Sequence, residues 1–146
     1  MSDRGFAHLH LHTEYSMLDG AARVADVMRA VAADGQPAVA MTDHGNLYGA
    51  VEFTKAANAA GVKPIIGIEA YLTPGSRFDR PPRRDDIRYH LTLLARDEIG
   101  YRNLIQLTSK SYLDGFYYKP RMDHELLAEH SEGIIAASGC LGGEVA

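Results

Sequence analysis

Apolar and polar positions follow two periodicities along this chain, and these predict strands and helices in turn. Apolar residues at three- and four-residue spacing mark helices, and short apolar runs bounded by glycine, proline or charged residues mark strands. The strands are predicted at 8–12, 38–42, 62–72, 89–95 and 133–138, and the helices at 24–32, 48–60, 97–113 and 123–130. This order indicates an α/β fold with right-handed crossovers and a mostly parallel sheet, open or closed into a barrel.

The first predicted strand carries three histidines on one face. Successive strand side chains point to opposite sides, so His8, His10 and His12 face one way while Leu9 and Leu11 face the other. Buried imidazoles need partners, and neutral imidazole is a common metal ligand. The pattern therefore favours a metal site over the alternative, an exposed edge strand whose histidines face water.

Further residues of metal-binding types lie at the ends of predicted strands, where α/β folds place their sites. These candidates are Asp19, Asp43, His44, Glu69, His90 and Cys140. Glu69 is a charge within an apolar run, which favours a metal ligand over a member of a buried ion pair. The mixture of imidazole, carboxylate and thiolate suits zinc, manganese or iron. The candidates outnumber the ligands of one tetrahedral site, so more than one metal is indicated. Two neighbouring metals with a bridging carboxylate such as Glu69 suit phosphate-ester hydrolysis.

Composition limits the class of protein. The chain has 146 residues, 46% of them hydrophobic, which suits one globular domain. Its net charge of −4 is not that of a protein with a broad basic face for nucleic acid, so metals and local arginines would have to attract a phosphodiester. No apolar run approaches the roughly 20 residues of a membrane span, and no signal peptide is evident, so we expect a cytoplasmic protein that does not contact a membrane. The single cysteine, Cys140, fits a reducing compartment.

Two connecting segments leave alternatives open. The polar segment 73–88 contains five arginines, which either contact phosphate or belong to a solvated loop, the interpretation favoured for most of them. The aromatic and basic segment 116–121 could stack nucleic-acid bases, but packing of a helix onto the sheet is favoured.

Several motifs together resemble one known family. They are HLHTEYSMLDG at 10–20, TDHGN at 42–46, KPIIGIEAY at 63–71, YHLTLLA at 89–95 and SGCLGGE at 138–144. The chain resembles the polymerase and histidinol phosphatase (PHP) domain, in the version found at the amino terminus of bacterial replicative DNA polymerase III alpha subunits. The connectors GAVEF, GYRNL and GFYYKPRMD share this resemblance, which covers nearly the whole chain.

The resemblance implies a distorted (β/α)7 barrel with up to three ions, Zn²⁺ or Mn²⁺. By position, the implied ligands are His10 and His12 for the first metal, Glu69 as bridge to the second, His90 and Cys140 for the second, and Asp19 and His44 for the third. His8 lies outside the matched pattern, and Asp43 is expected to orient His44 or its loop. The implied catalytic residues are Glu69, His12 and Asp43.

The family's last motif, Asp-x-His, has no counterpart here. We therefore expect residues 1–146 to be a PHP domain that lacks its last barrel strands.

The resemblance implies two functions. The first is a metal-dependent 3′–5′ proofreading exonuclease within a DNA-directed DNA polymerase, a nucleotidyltransferase of DNA replication. Its partners would be DNA at the primer 3′ end and the polymerase domains of the same chain. The alternative is a non-catalytic structural module that stabilises the polymerase and docks a separate proofreading exonuclease subunit. Retention of seven ligand positions favours the enzyme.

Overall fold

Helices and strands occur in nearly the predicted order in a computed structural model, which describes residues 5–145. The strands are β1 (Ala38–His44), β2 (Lys63–Leu72), β3 (Tyr89–Ala95), β4 (Arg121–Met122) and β5 (Ile134–Ala137). The helices are α1 (Val24–Ala33), α2 (Ala50–Ala59), α3 (Glu98–Leu113) and α4 (His124–Glu129). Across these residues, none of the helices combines the length and the apolar character needed to cross a membrane.

The helices form for the reasons that the sequence indicates. The residues of α1 at three- and four-residue spacing are buried, namely Val24, Val27, Met28 and Val31. The helix stops at Asp34, and Gly35 follows with a left-handed φ of +71°, which glycine adopts without a steric penalty. At the start of α3, the Asp97 side chain accepts the backbone N–H of Gly100, so the predicted cap is confirmed.

The sheet has the order β1-β2-β3-β5, with β4 also paired to β2. β1 and β4 run parallel to β2, whereas β3 runs antiparallel to both β2 and β5. All the described strands except β3 therefore point in one direction, and the predicted α/β class with mostly parallel strands is confirmed. The connection 73–88 into β3 holds only a short 3₁₀ turn and lacks the helix that usually carries a crossover between parallel neighbours.

β2 is the central strand, and two strands share one of its edges. β1 pairs along that edge until His44 lies opposite Glu69. β4 pairs with β2 from Tyr71, while β3 occupies the other edge from Gly67 to Leu72. Glu69 thus lies at the point where the partner of β2 along this edge changes from β1 to β4.

The two faces of the sheet differ in chemistry. On β2, Ile66, Ile68 and Leu72 point to the face that the helices cover. One hydrophobic cluster joins α1, α2 and β1 on this face, and a second joins α3, α4, β3 and β4. The alternate residues Glu69 and Tyr71 point to the opposite face, which carries the polar side chains.

Two predicted strands differ in the structure. Residues 8–12 form no regular strand and make one isolated bridge, between His8 and Val39. The Thr42 hydroxyl accepts the Leu11 N–H at 2.8 Å, so a side chain takes a place that a backbone carbonyl would hold in a ladder. The strand predicted at 133–138 is shorter in the structure, where β5 forms the edge of the sheet and only Ile134 is partly buried.

The segment 73–88 is held by a buried arginine on β4. The guanidinium of Arg121 is fully buried and donates to the carbonyls of Arg77 at 3.1 Å and Asp79 at 2.6 Å. It also donates to the Asp86 carboxylate at 3.2 Å and to the Gly115 carbonyl at 3.1 Å. Arg121 therefore satisfies acceptors on the segment that would otherwise lack partners.

A second buried ion pair fixes the start of this segment. Arg77 is only 8% exposed, and its guanidinium lies 3.0 Å from a carboxylate oxygen of Asp123, which also caps α4 through the Leu126 N–H. The predicted solvated loop is therefore wrong for Arg77, although Arg83 and Arg84 are exposed.

Replacing Asp123 with Asn tests this ion pair. Asn keeps the helix cap but leaves Arg77 with only the exposed carboxylate of Glu125, 3.5 Å away, so the free energy of unfolding should fall by about 3 kcal/mol at pH 7. Burial favours the neutral acid, but hydrogen bonds from the Arg77 and Leu126 backbone and the charge of Arg77 outweigh it and lower the pKa of Asp123. Denaturant unfolding of both proteins at several pH values measures the effect.

Because the pKa of Asp123 is lowered on folding, its stabilising contribution is complete above its ordinary value of 3.8. The difference between wild type and variant should shrink as the pH falls through the lowered pKa. Asp85→Asn is the matched control, because its pair with Arg84 is exposed and should be worth less than about 1 kcal/mol. Equal losses in the two variants would contradict a buried ion pair.

Candidate metal centre

The site is centred on one carboxylate. Glu69 is 2% exposed, and imidazoles face both of its oxygens. Oε2 lies 2.7 Å from Nε2 of His10 and 2.7 Å from Nε2 of His12, while Oε1 lies 2.5 Å from Nδ1 of His90. Nδ1 of His44 lies 3.8 Å from Oε2. Four of the histidines predicted to bind metal therefore converge on the carboxylate predicted to bridge two ions.

Strand register brings three of these side chains together. His44 at the end of β1 lies opposite Glu69 on β2, and Thr92 on β3 lies opposite Glu69 on the other side. His90 is two residues from Thr92 and therefore shares its face of the sheet. The segment before β1 supplies His10 and His12, because its backbone is bound to β1 through Leu11.

Two overlapping groups could each hold an ion. One is His10, His12 and Glu69, and the other is His44, Glu69 and His90; in each group the ligand atoms lie within 4.8 Å of one another. Both groups contain Glu69. This sharing is the geometry expected of a bridging carboxylate.

The two remaining predicted ligands lie at the margins. Asp19 is exposed, and its Oδ2 lies 2.9 Å from Nε2 of His44. Because the other nitrogen of His44 faces Glu69, this ring lies between the two carboxylates. Cys140 is also exposed, with its sulfur 3.5 Å from Nδ1 of His90. All seven predicted ligands thus form one connected set.

His8 does not join this set. It is exposed, and its ring packs edge-on against Phe6 with centroids 4.8 Å apart. The sequence expectation that three histidines share one face is wrong for His8, because residues 8–12 are not a regular strand.

Electrostatics keep Glu69 charged. Burial favours the neutral acid, but hydrogen bonds from His12 and His10 and the charges of His44 and His90 outweigh it and lower the pKa of Glu69 to about 2. The hydrogen bond to Glu69 raises the pKa of His12, despite its partial burial. Protons compete with metal ions for His12, so metal affinity should weaken as the pH falls through this raised pKa.

Asp43 organises the loop beside the site and is fully buried. Its carboxylate accepts the Thr13 N–H at 2.6 Å, the Thr13 hydroxyl at 2.7 Å and the Ser16 hydroxyl at 2.8 Å. The predicted role in orienting the loop agrees with these contacts. Complete burial leaves Asp43 no surface with which to touch a substrate.

Ser16 links Asp43 to the imidazoles, a link that the sequence analysis missed. The Ser16 hydroxyl gives its one proton to Asp43, so it must accept from His12 Nδ1 at 3.0 Å and from the backbone N–H of His44 at 3.1 Å. Nδ1 of His12 is therefore protonated, and Nε2 is the nitrogen available to a metal. The only sequence signal was a serine four residues after His12.

The donors present fit a metal ion. Nδ1 of His44 is buried and has no hydrogen-bond partner among residues 5–145, although it points towards Glu69. The ligand atoms are nitrogen, oxygen and sulfur, which zinc accepts, whereas calcium and magnesium prefer oxygen alone.

Fold and site together define an α/β domain that gathers imidazoles around a carboxylate on one face of its sheet. The sequence model of the PHP domain matches residues 8–146. The chain belongs to the PHP domain family, and the predicted family is confirmed.

Similar proteins include DNA polymerase III alpha subunits. The one from Thermus aquaticus is 58% identical over 144 residues, which cover 96% of this chain and 12% of that protein. The one from Deinococcus radiodurans is 58% identical over 148 residues, covering 96% and 11%. The chain therefore spans little more than a tenth of these relatives.

The chain also resembles a solved amidohydrolase from Chromobacterium violaceum at a TM-score of 0.47 and 23% identity, over 71% of this chain and 34% of that one.

The bridging role predicts unequal losses of metal. Glu69→Ala removes an oxygen donor from both groups, whereas His90→Ala removes one nitrogen from one group. After dialysis against metal-free buffer, elemental analysis should find less metal in Glu69→Ala than in His90→Ala. His8→Ala is the control and should retain the wild-type content. Equal retention in the Glu69 and His90 variants would contradict the assignment.

The Ser16 link predicts an effect on metal affinity without loss of a ligand. Ser16→Ala removes the acceptor that orients His12, and such outer contacts are worth about 10- to 100-fold in metal affinity. Competition with a chelator measures the affinity, and circular dichroism checks the fold. Ser131→Ala is the control, because that exposed hydroxyl donates to the Ala128 carbonyl and lies outside the site. Unchanged affinity in Ser16→Ala would show that His12 is oriented by other contacts.

Proposed function

We propose that this chain is the PHP domain of a replicative DNA polymerase III alpha subunit, and that its site hydrolyses phosphodiester bonds from the 3′ end of a DNA strand. The observation that carries the proposal is the almost completely buried Glu69, shared by four imidazoles on an open face of the sheet. Membership of the PHP family and similarity to polymerase III alpha subunits support it.

The proposed ligands follow the connected set. His10 and His12 would hold one ion, Glu69 would bridge to a second ion held also by His90 and Cys140, and Asp19 and His44 would hold a third. The ions are Zn²⁺ or Mn²⁺, since imidazole and thiolate donors disfavour calcium and magnesium. When bound, they supply Lewis-acid activation of water and neutralise charge on the phosphoryl oxygens.

The chain's own residues do the positioning. Glu69 stays ionised because its imidazole neighbours lower its pKa, and it places negative charge between the two groups. His12 is held with Nε2 directed into the site by Ser16, which Asp43 orients in turn. Asp43 is thus a positioning residue in this proposal, and His12 and Glu69 are the residues placed at the reacting phosphate.

The parent protein's role belongs to the same proposal. A DNA polymerase III alpha subunit is a DNA-directed polymerase of DNA replication, so the domain would act on the primer end made by the polymerase domains of its own chain. Residues 5–145 supply the nuclease ligands, and the polymerising activity would lie elsewhere in the parent.

Metal analysis and a primer-degradation assay test the proposal together. The full-length protein should hold about three ions in this domain, the number that the family resemblance implies. With a 5′-labelled primer it should produce products shortened from the 3′ end. Glu69→Ala, purified identically, should lose both metal and cleavage, which excludes a contaminating nuclease.

The other result has a clear meaning. A wild-type protein that holds no metal and leaves the primer intact would overturn the nuclease proposal. Such a domain would instead be a structural module for the polymerase.

A further inference from the structure

A cavity of about 630 Å³ opens directly beside the metal centre. His44, His90 and Asp19 form its inner wall, so anything that binds in the cavity lies against the candidate ligands. The outer wall comes from Tyr48, Arg88, the end of α3 and the segment that follows it. The metal chemistry described above uses none of the residues of this outer wall.

Six tyrosine and phenylalanine rings line the cavity, and the four most exposed of them form what we term the aromatic shelf: Tyr48, Tyr112, Phe116 and Tyr118. They are 63%, 36%, 52% and 52% exposed respectively. Rings of this size usually bury most of their surface, so four exposed rings on one wall are unusual for a structural cluster. Tyr112 and Phe116 lie nearly parallel, with an interplanar angle of 21° and centroids 6.1 Å apart.

The segment 116–121 has both inward-packed and solvent-facing side chains. Tyr117 packs inwards, with its hydroxyl donating to the Pro81 carbonyl at 2.8 Å, and Arg121 is buried. Phe116 and Tyr118 face solvent instead. The favoured expectation that this segment only packs a helix onto the sheet is wrong for these two rings.

Backbone geometry directs Tyr118 outwards. Its φ is +58°, and it is the one non-glycine residue in the left-handed region among residues 5–145. The flanking residues close the turn, since the Tyr117 N–H donates to the Lys119 carbonyl at 3.0 Å. A bulky residue in this conformation costs free energy, and such strain concentrates at functional positions.

Cations accompany the rings. Lys119 and Arg88 line the same cavity, although the whole chain is acidic with a net charge of −4. Within residues 5–145, the Lys119 ammonium has no carboxylate within 4 Å, and it lies 5.3 Å from the centre of the Tyr71 ring. Arg83 places its guanidinium 5.3 Å from the centre of the Tyr118 ring. Arg88 is itself paired with Asp86, with its Nε 3.4 Å from a carboxylate oxygen. Aromatic faces beside the uncompensated charge of Lys119 suit an anionic ligand with flat rings.

We propose that the aromatic shelf stacks the bases at the 3′ end of single-stranded DNA while Lys119 and Arg88 contact its phosphates. This proposal rests on the proposed function, because it names how the substrate of the metal centre is gripped. Exposed rings accept any base, since every base has a flat π face, so the grip is independent of sequence. A paired end keeps its bases stacked in the duplex, so the shelf selects frayed or mispaired ends.

Binding without cleavage tests the shelf. Fluorescence anisotropy in EDTA would compare two labelled oligothymidylates, one normal and one with abasic sites at its last two 3′ positions. Wild type should bind the normal strand about 5- to 100-fold more tightly. Tyr118→Ala and Tyr48→Ala should each reduce that preference, whereas Tyr118→Phe should keep it because the ring remains.

Phe78→Ala is the matched control, because Phe78 is 55% exposed but lies outside the cavity, and its preference should equal that of wild type. The stacking role would be refuted if wild type bound the normal and abasic strands equally. It would also be refuted if both Tyr118→Ala and Tyr48→Ala kept the full wild-type preference for the normal strand. Absence of DNA binding by wild type would do the same.

Hydrolysis of bis(4-nitrophenyl) phosphate, measured separately with Mn²⁺, tests the metal centre with a phosphodiester that carries no nucleobase. If the protein cleaves this ester but binds the normal and abasic strands equally, the stacking role of the aromatic shelf is refuted and the nuclease proposal stands. If the protein binds the normal strand more tightly but hydrolyses neither the ester nor the primer, the aromatic shelf is a DNA-binding surface and the nuclease proposal is refuted.

Discussion

The contact between the Glu69 carboxylate and its surrounding imidazoles is the constraint on which the site depends. A charge that is 2% exposed is tolerated because histidines from three separate parts of the chain offer it hydrogen bonds and positive charge. Three of these histidines are held in place by further contacts. His44 and His90 are placed by strand register, and His12 is placed by Ser16. The centre is thus assembled by the sheet and by the ordered loop before β1.

Buried arginines play the corresponding part for the cavity. Arg121 and Arg77 hold the segment 73–88 through carbonyl and carboxylate acceptors, and that segment supplies Arg88 to the cavity. Arg121 also bonds the Gly115 carbonyl at 3.1 Å, next to Phe116. One guanidinium therefore steadies both the aromatic and the cationic parts of the outer wall.

Local patterns predicted most elements because each depends on nearby residues. The apolar spacing of α1 and the capping side chain of Asp97 act within one or two helical turns, so the sequence displays them directly. Non-local choices were harder. The direction of β3 depends on the path of the connection before it, and the irregular course of residues 8–12 depends on the Thr42 hydroxyl some thirty positions away. Likewise, the ligand types were visible in sequence, but the proton on His12 Nδ1 follows only from the contacts of Ser16.

The position of Glu69 between two hydrophobic clusters has a consequence for the molecule as a whole. His10, His12 and His44 belong to the half built around α1 and α2, whereas His90 and Cys140 belong to the half built around α3 and α4. An ion held by ligands from both halves would cross-link the two halves. Its binding energy would add to the pairing of β1 with β2 that already joins the two cores, so binding the metal would stabilise both cores together.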